Sequence, residues 1–291
     1  MNSPSRLVLG TAQLGIDYGI ANNSGIVAME QARKILDLAL VNGVDFIDTA
    51  MSYGIAEERL GRLGVSDFKI ITKLPSLLST SVSNIDSWVL EQVEASLHRL
   101  RIDRLYGLLL HNTGDLACDG SAQLVRALRR VCNKGLVDHV GVSIYSPDDL
   151  DLALNADFVS LLQAPMNVFD RRMVDSGALD ILHRSGVEVH LRSVFLQGLL
   201  LMKPHTVPAK FSEFSVLFEN WHDWCCYHKL KPLEACLSHV QAVAPSAKIV
   251  VGCDNAEQFK EILNAINVAP LQAPVHLMSQ NIKLINPAGW S

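Results

Sequence analysis

Four polar side chains of complementary chemistry follow short apolar runs in the first part of the chain: a carboxylate, a phenol, an amine and an imidazole. Val44-Asp45-Phe46-Ile47 leads into Asp48, and Tyr53 follows within Asp48-Thr49-Ala50-Met51-Ser52-Tyr53-Gly54. Phe68-Lys69-Ile70-Ile71-Thr72 leads into Lys73, and Leu105-Tyr106-Gly107-Leu108-Leu109-Leu110 leads into His111. If these runs are consecutive strands of a parallel barrel, their ends converge on one face and the four groups meet. A free phenol titrates near 10 and is a poor acid near neutrality. An ammonium beside it stabilises the phenolate, and a carboxylate can hold that ammonium by an ion pair. Asp48 and Lys73 would each be costly to bury alone and tolerable as a pair. A neutral imidazole opposite the phenol can orient a carbonyl oxygen and share in proton transfer. Together the groups suit the reduction of a carbonyl.

Each residue also has a plain structural reading. A Tyr after a strand, or a His ending an apolar run, is usually a packing residue. Lys73 could instead serve a barrel aldolase as a Schiff-base lysine. Such a lysine wants a depressed pKa, whereas Asp48 would favour its charged form. A third reading is a regulatory barrel that holds a nucleotide with little turnover.

The elements that must position these groups follow from periodicity. Strands are expected over 6–11, 44–49, 68–73, 105–111, 138–143, 158–163, 187–193 and 248–252. Amphipathic helical stretches lie near 28–42, 55–63, 84–100, 121–134, 147–154, 173–185, 231–244 and 256–267. In 84–100, Ile85, Val89, Val93, Leu97 and Leu100 recur on one helical face. Ser146 before Pro147 caps the fifth helix and Asp170 the sixth. Eight strand–helix units predict a (β/α)₈ barrel in a single domain spanning 1–291. A doubly wound open sheet would want Gly-x-Gly-x-x-Gly after an early strand, and Gly10-Thr11-Ala12-Gln13-Leu14-Gly15 has the wrong spacing. Residues 199–230, after the seventh strand, form a long aromatic-rich insertion. It reads as a lid or as an extra helix packed on the barrel. On the lid reading Trp221 and Trp224 contact substrate, while Tyr18, Met51 and Trp88 either line the same mouth or are packing residues.

Composition narrows the classes. Apolar residues make up 49% of the 291, enough for a large core. A net charge of −5 without a Lys/Arg block argues against nucleic-acid or membrane-surface binding. No uncharged apolar stretch reaches the ~18 residues of a spanning helix, and Met1–Arg6 lacks the apolar core of a secretory signal. A cytoplasmic protein acting on a small molecule, monomeric or weakly oligomeric, is expected. The six cysteines form no Cys-x-x-Cys and no recognised zinc spacing, so they read as reduced, with no metal site. Arg171 and Arg172 read as a solvated or capping pair, or as a hold for an anionic substrate.

Gly43 to Gly54, continued by Glu57, Leu60 and Gly61, resembles the signature of the aldo-keto reductases. Ile71-Thr72-Lys73 and Leu110-His111-Asn112 extend the resemblance in the expected order, from Gly10-Thr11 to about Glu261. The resemblance implies a barrel binding NADPH, or less often NADH, across its top. It implies carbonyl reduction with Tyr53 as general acid, Lys73 and Asp48 as its tuning pair, and His111 orienting the substrate. It further implies cofactor contacts from Gly10, Thr11 and Asp48, and from Ser143 and Gln163 at the nicotinamide amide. Arg192, Ser193, Phe195, Gln197 and Gly198 would lie along the nicotinamide and pyrophosphate. Gly252, Asp254, Gln258 and Glu261 would close on the adenosine.

The chain departs from the pattern in several places. Ile144 stands where an Asn holds the amide, and Arg192 where an aromatic stacks. Asp254 and Gln258 stand where NADP-preferring members often carry a basic group, with Lys260 or Lys203 as possible compensation. Ile262 replaces an adenine-contacting Asn. Met1 to Ser5 is too short for the N-terminal hairpin that plugs the barrel in many relatives.

Overall fold

The computed structural model describes residues 3–22, 24–79 and 82–290. Its strands are β1 (Leu7–Gly10), β2 (Phe46–Asp48), β3 (Lys69–Leu74), β4 (Leu105–Leu110), β5 (Val137–Ser143), β6 (Val159–Pro165), β7 (Glu188–Arg192) and β8 (Lys248–Val251). Each pairs in parallel with the next, and β8 pairs with β1, closing a (β/α)₈ barrel in chain order. The expected strands are all present, with ends shifted by a residue or two.

The helices are α1 (Met29–Val41), α2 (Ala56–Leu63), α3 (Ile85–Leu100), α4 (Ser121–Asn133), α5 (Leu150–Leu154), α6 (Arg172–Asp175), α7 (Ala178–Arg184), α8 (Ser215–Tyr227), α9 (Pro232–Val243), α10 (Ala256–Ala265) and α11 (Ile282–Ile285). The stretch expected as one helix over 173–185 is divided between α6 and α7. Gly177 adopts φ 72°, a left-handed conformation that cannot continue the first helix. Ser146 caps the fifth unit as expected, in a capping box with Asp149. Asp170 lies one residue before the cap position taken by Arg171, yet its carboxylate still accepts from the Arg172 backbone N–H at 3.3 Å. No helix among the described residues is long and apolar enough to cross a membrane. Of the leading segment, Met1 and Asn2 lie outside the described residues, and Ser3–Arg6 forms one 3₁₀ turn running into β1.

Strand alternation positions the chemistry. Outward residues such as Leu9, Ile47, Ile70, Leu108 and Leu162 join the large core under the helices, while Val8, Phe46, Ile71, Leu109 and Leu161 fill the barrel interior. Burial on both faces explains why the strands read as continuous apolar runs. Two residues beyond four of the interior side chains, on the same face by the period of a strand, come Asp48, Lys73, His111 and Gln163. The apolar layer thus forms a floor, with the polar groups one step higher at the strand ends.

One buried carboxylate ties this arrangement together. Glu57 on α2 accepts from Thr72 Oγ1 (2.7 Å) on β3, Ser96 Oγ (2.7 Å) on α3 and Arg99 Nε (2.7 Å). Thr72 is the neighbour of Lys73, so this knot sets the height of β3. Glu57→Ala strips a charged acceptor from three donors and should cost about 3 kcal/mol of unfolding free energy. Urea denaturation followed by circular dichroism checks it; a loss under about 1 kcal/mol would mean the knot is not structural.

The insertion after β7 holds three short 3₁₀ segments (Leu199–Leu201, Pro204–Thr206 and Ala209–Phe214) and then α8, packed on the barrel. Phe218 and Trp221 are buried, against Phe169 at ring separations of 5.5 and 6.5 Å. Of the cysteines, Cys225, Cys236 and Cys253 are buried, Cys118 and Cys132 partly so, and Cys226 is exposed; all are free. Arg171 is not a solvated residue. It is 3% exposed, and its guanidinium donates to the carbonyls of Val168, Ala273 and Pro274, pinning the segment beyond α10 to the barrel top. Arg172 pairs with Asp170 at 2.8 Å.

Candidate active site

The turn after β2 delivers Tyr53 back over the barrel mouth, and two glycines make that possible. A Cβ on Gly15 would stand 1.8 Å from the Tyr53 carbonyl oxygen, and one on Gly54 (φ 54°) 2.4 Å from the Gly15 carbonyl oxygen. The β1 loop and the Tyr53 turn therefore touch backbone to backbone.

Lys73 is the centre of the constellation. Its Nζ donates to Asp48 Oδ2 (2.7 Å) and Oδ1 (2.8 Å), to the Thr49 carbonyl (2.9 Å) and, at 3.5 Å, to the Tyr53 hydroxyl. Lys73 is 1% exposed and Asp48 4%. Burial is the largest influence on the ammonium and works to lower its pKa. Asp48 and Tyr53 together overcome it, and the amine is held above its ordinary value. A charged ammonium thus sits against the phenol oxygen, fixed by a carboxylate behind it.

His111 faces Tyr53 edge-on with ring centroids 6.2 Å apart. Burial first, then the Lys73 charge, lowers its pKa to about 4, with Arg192 adding to the effect and Asp48 opposing it. The imidazole is neutral through the physiological range. The unfolded chain protonates this residue nearer 6.5, so folding stability falls as pH drops from about 6.5 to about 4. Ser52 Oγ lies 3.4 Å from His111 Nδ1. With that hydroxyl as donor, the ring proton sits on Nε2, the tautomer that can donate to a carbonyl.

Over Asp48 and Tyr53 opens a cavity of about 390 Å³; Lys73 and His111 lie beside these two and do not line it. Its wall includes Tyr53, Asp48 and every expected cofactor position except Ser143: Gly10, Thr11, Gln163, Arg192, Ser193, Phe195, Gln197, Gly198, Gly252, Asp254, Gln258 and Glu261. Ser143 is buried beside Gln163 in the β5–β6 register. Gln163 donates its amide to Asp48 Oδ1 at 2.7 Å, while its Oε1 is buried with no partner among the described residues. A buried carbonyl oxygen left without a donor is costly unless a ligand supplies one. A carboxamide N–H₂ is such a donor, so the site fits a nicotinamide.

The wall segment after β7 carries unusual backbone. Ser193, Leu196 and Gln197 have φ of 62°, 50° and 53°, followed by Gly198 at 85°. Non-glycine residues there cost about 1–3 kcal/mol each and tend to persist where function demands the shape. The turns curl the chain round the cavity and bring Gln197 against the β1 loop, where its carbonyl accepts from the Ala21 backbone N–H at 3.4 Å.

Two expectations about the wall are corrected. Trp221 and Trp224 do not reach the cavity. Trp221 is fully buried, its indole N–H donates to the Leu200 carbonyl at 3.0 Å, and Trp224 stacks on it at 5.7 Å. The aromatic stripe of the insertion is helix packing, and Leu201 and Met202 at its start line the cavity instead. Arg192 stacks, but on protein: its guanidinium lies 4.5 Å from the Tyr145 ring centroid and donates to the Ile144 carbonyl at 3.1 Å. Tyr18 is on the wall, whereas Met51 and Trp88 pack against the core.

Missed from the sequence were Gln13, Gly19, Ala21 and Asn22, all on the wall. The length of the β1–α1 connection, residues 11–28, was the available signal, since a loop at a strand's carboxyl end borders the site. Ser52 was missed because nothing in its spacing marks it as a partner of His111.

The comparisons agree in one direction. The profile described as Aldo/keto reductase family matches residues 6–280. The chain is 24% identical over 288 residues to the uncharacterized oxidoreductase YqkF of Bacillus subtilis, covering 90% of this chain and 91% of that protein. It is 25% identical to a probable voltage-gated potassium channel subunit beta of Arabidopsis thaliana, over 86% of each. Among solved structures, aldo-keto reductase AKR11C1 from Bacillus halodurans, in its holo form, superposes with a TM-score of 0.73. Its sequence is 21% identical, and the match covers 92% of this chain and 88% of that one.

Proposed function

The chain belongs to the aldo/keto reductase family, and on that premise we propose that it reduces an aldehyde or ketone to an alcohol, with Tyr53 as general acid. It is an NAD(P)-dependent oxidoreductase. When bound, the dinucleotide would supply the hydride from its nicotinamide ring; NADPH is the form the family resemblance implies, and NADH the alternative. Gln163 and Ser143 would hold the carboxamide, the curled segment 193–198 would follow the dinucleotide, and Gly252 to Glu261 would close on its far end.

The observation that carries the reading is Lys73 Nζ shared between the Asp48 carboxylate and the Tyr53 hydroxyl at the cavity floor. As a carbonyl oxygen gains negative charge, Tyr53 gives it the phenol proton. Lys73 stabilises the phenolate left behind, and Asp48 keeps the ammonium in place. His111, neutral and tethered to Ser52, orients the oxygen by a second hydrogen bond. In the reverse direction the Tyr53 phenolate takes the alcohol proton. The Schiff-base reading requires a free neutral amine, whereas Lys73 is charged and has its protons engaged.

The test is oxidation of reduced dinucleotide, followed by absorbance, against aldehydes, ketones, keto acids and sugars. Turnover on at least one class is expected, with no inflexion from His111 between about pH 5 and 8, because that residue titrates near 4. Dinucleotide binding with no oxidation across the panel would refute the reductase reading, and a borohydride-trapped adduct on Lys73 would replace it with the aldolase.

A further inference from the structure

The cavity stretches from Tyr53 to Asp254, and its two ends differ in charge. Its wall contains one basic side chain, Arg192, which is held over Tyr145 and bonded to Ile144. The wall at the opposite end presents Asp254 and Glu261 and no lysine or arginine. Lys260, on the neighbouring helix face, is paired with Glu257 at 2.8 Å, and neither it nor Lys203 lines the cavity.

A further source of positive potential there is the N-terminus of α10. Backbone amides at a helix start commonly receive phosphate. Three of the amides around this start are already engaged. The Asp254 N–H donates to Gln258 Oε1 (2.8 Å), the Ala256 N–H to Gln31 Oε1 (3.1 Å) and the Gln258 N–H to Asn255 Oδ1 (2.9 Å). Glu257 adds a negative charge to the same turn.

We propose that Asp254 and Glu261 make this end of the cavity select the dinucleotide with a free adenosine ribose, NADH, over NADPH. The proposal rests on the dinucleotide reading above. Proton donation from Tyr53 puts the nicotinamide at the Tyr53–Gln163 end, which leaves the adenosine for the Asp254 end. A ribose diol donates hydroxyl protons, and a carboxylate is its strongest neutral-pH acceptor. A 2′-phosphate carries up to two negative charges, offers only acceptor oxygens at that pH, and would meet two carboxylates with no cation between them. Like charges brought together in this way repel and weaken binding.

Titration of the protein with NADH and with NADPH, read by tryptophan fluorescence or calorimetry, tests the selection directly. NADPH should bind at least about tenfold more weakly than NADH. Displacement of bound NADH isolates the adenosine end: AMP should compete better than adenosine 2′,5′-bisphosphate. Asp254→Arg should tighten NADPH by at least about tenfold and reverse the order of the two competitors. Equal or tighter NADPH binding by the unaltered protein would overturn the selection and leave the dinucleotide reading standing. Binding of neither nucleotide would overturn both.

Discussion

Tyr53→Phe should lower carbonyl turnover by about 10²–10⁴-fold, the usual contribution of a positioned general acid, while dinucleotide affinity stays within about twofold. The substitution removes one oxygen and keeps the ring, which packs against the core and lies edge-on to His111. Lys73 loses one contact, the longest of its set at 3.5 Å, and keeps Asp48 and Thr49. The fold is therefore spared. What disappears is the only hydroxyl among the described residues that touches the buried ammonium and also borders the cavity. The loss should fall on kcat and kcat/KM together, because the proton moves only in the transition state. Single-turnover oxidation of bound reduced dinucleotide separates this step from binding and product release. A variant that turns over within about threefold of the parent would remove Tyr53 as the acid.

Lys73→Met should damage both activity and fold. The methylene stem is replaced closely, but the Asp48 carboxylate is left buried with Gln163 as its remaining side-chain donor. Removing one member of a buried ion pair costs about 3–5 kcal/mol, because the other charge is stranded. Turnover should fall by about 10²–10⁴-fold, since the phenolate formed at Tyr53 loses its counter-charge. The two effects can be pulled apart. Adding Asp48→Asn to Lys73→Met removes the stranded carboxylate and should restore most of the unfolding free energy while leaving the enzyme inactive. Urea unfolding of the two single variants and the double variant gives the coupling energy directly. If Lys73→Met unfolds with parental stability, or the double variant regains turnover, the ammonium is not the group that serves Tyr53.

The proposed catalytic residues were legible because they obey a rule visible in one dimension. Each follows an apolar run, and a parallel barrel brings the ends of such runs together whatever lies between them. Asp48, Lys73, His111 and Gln163 also share strand parity with the interior residues two positions earlier, so the same alternation that fills the barrel aims them upward. The cavity wall was less legible. Residues 18–22 reach the cavity wall through contacts with Gln197 that no local pattern encodes. The curled backbone of 193–198 is written in left-handed dihedrals on Ser, Leu and Gln, residues that give no sign of it in sequence.

Trp221 and Trp224 mark the limit most clearly. Aromatic residues spaced along a long insertion look alike whether they face a ligand or a neighbouring helix, because both surfaces are apolar. Only the docking of α8 on Phe169 turned that stripe inward. Arg171 shows the reverse case. Its charge suggested solvent, yet one nearby carbonyl and two from a distant segment satisfy it in the interior. The sequence by itself determined the barrel, its strand ends and the four groups that meet there, since these rest on periodicity and on side-chain chemistry. The tertiary structure alone decided which loops border the cavity, which aromatics are withdrawn from it, and that Gln31 takes the Ala256 amide at the start of α10. Those outcomes depend on contacts between segments far apart in the chain, where residue type sets what a contact is worth but not whether it forms.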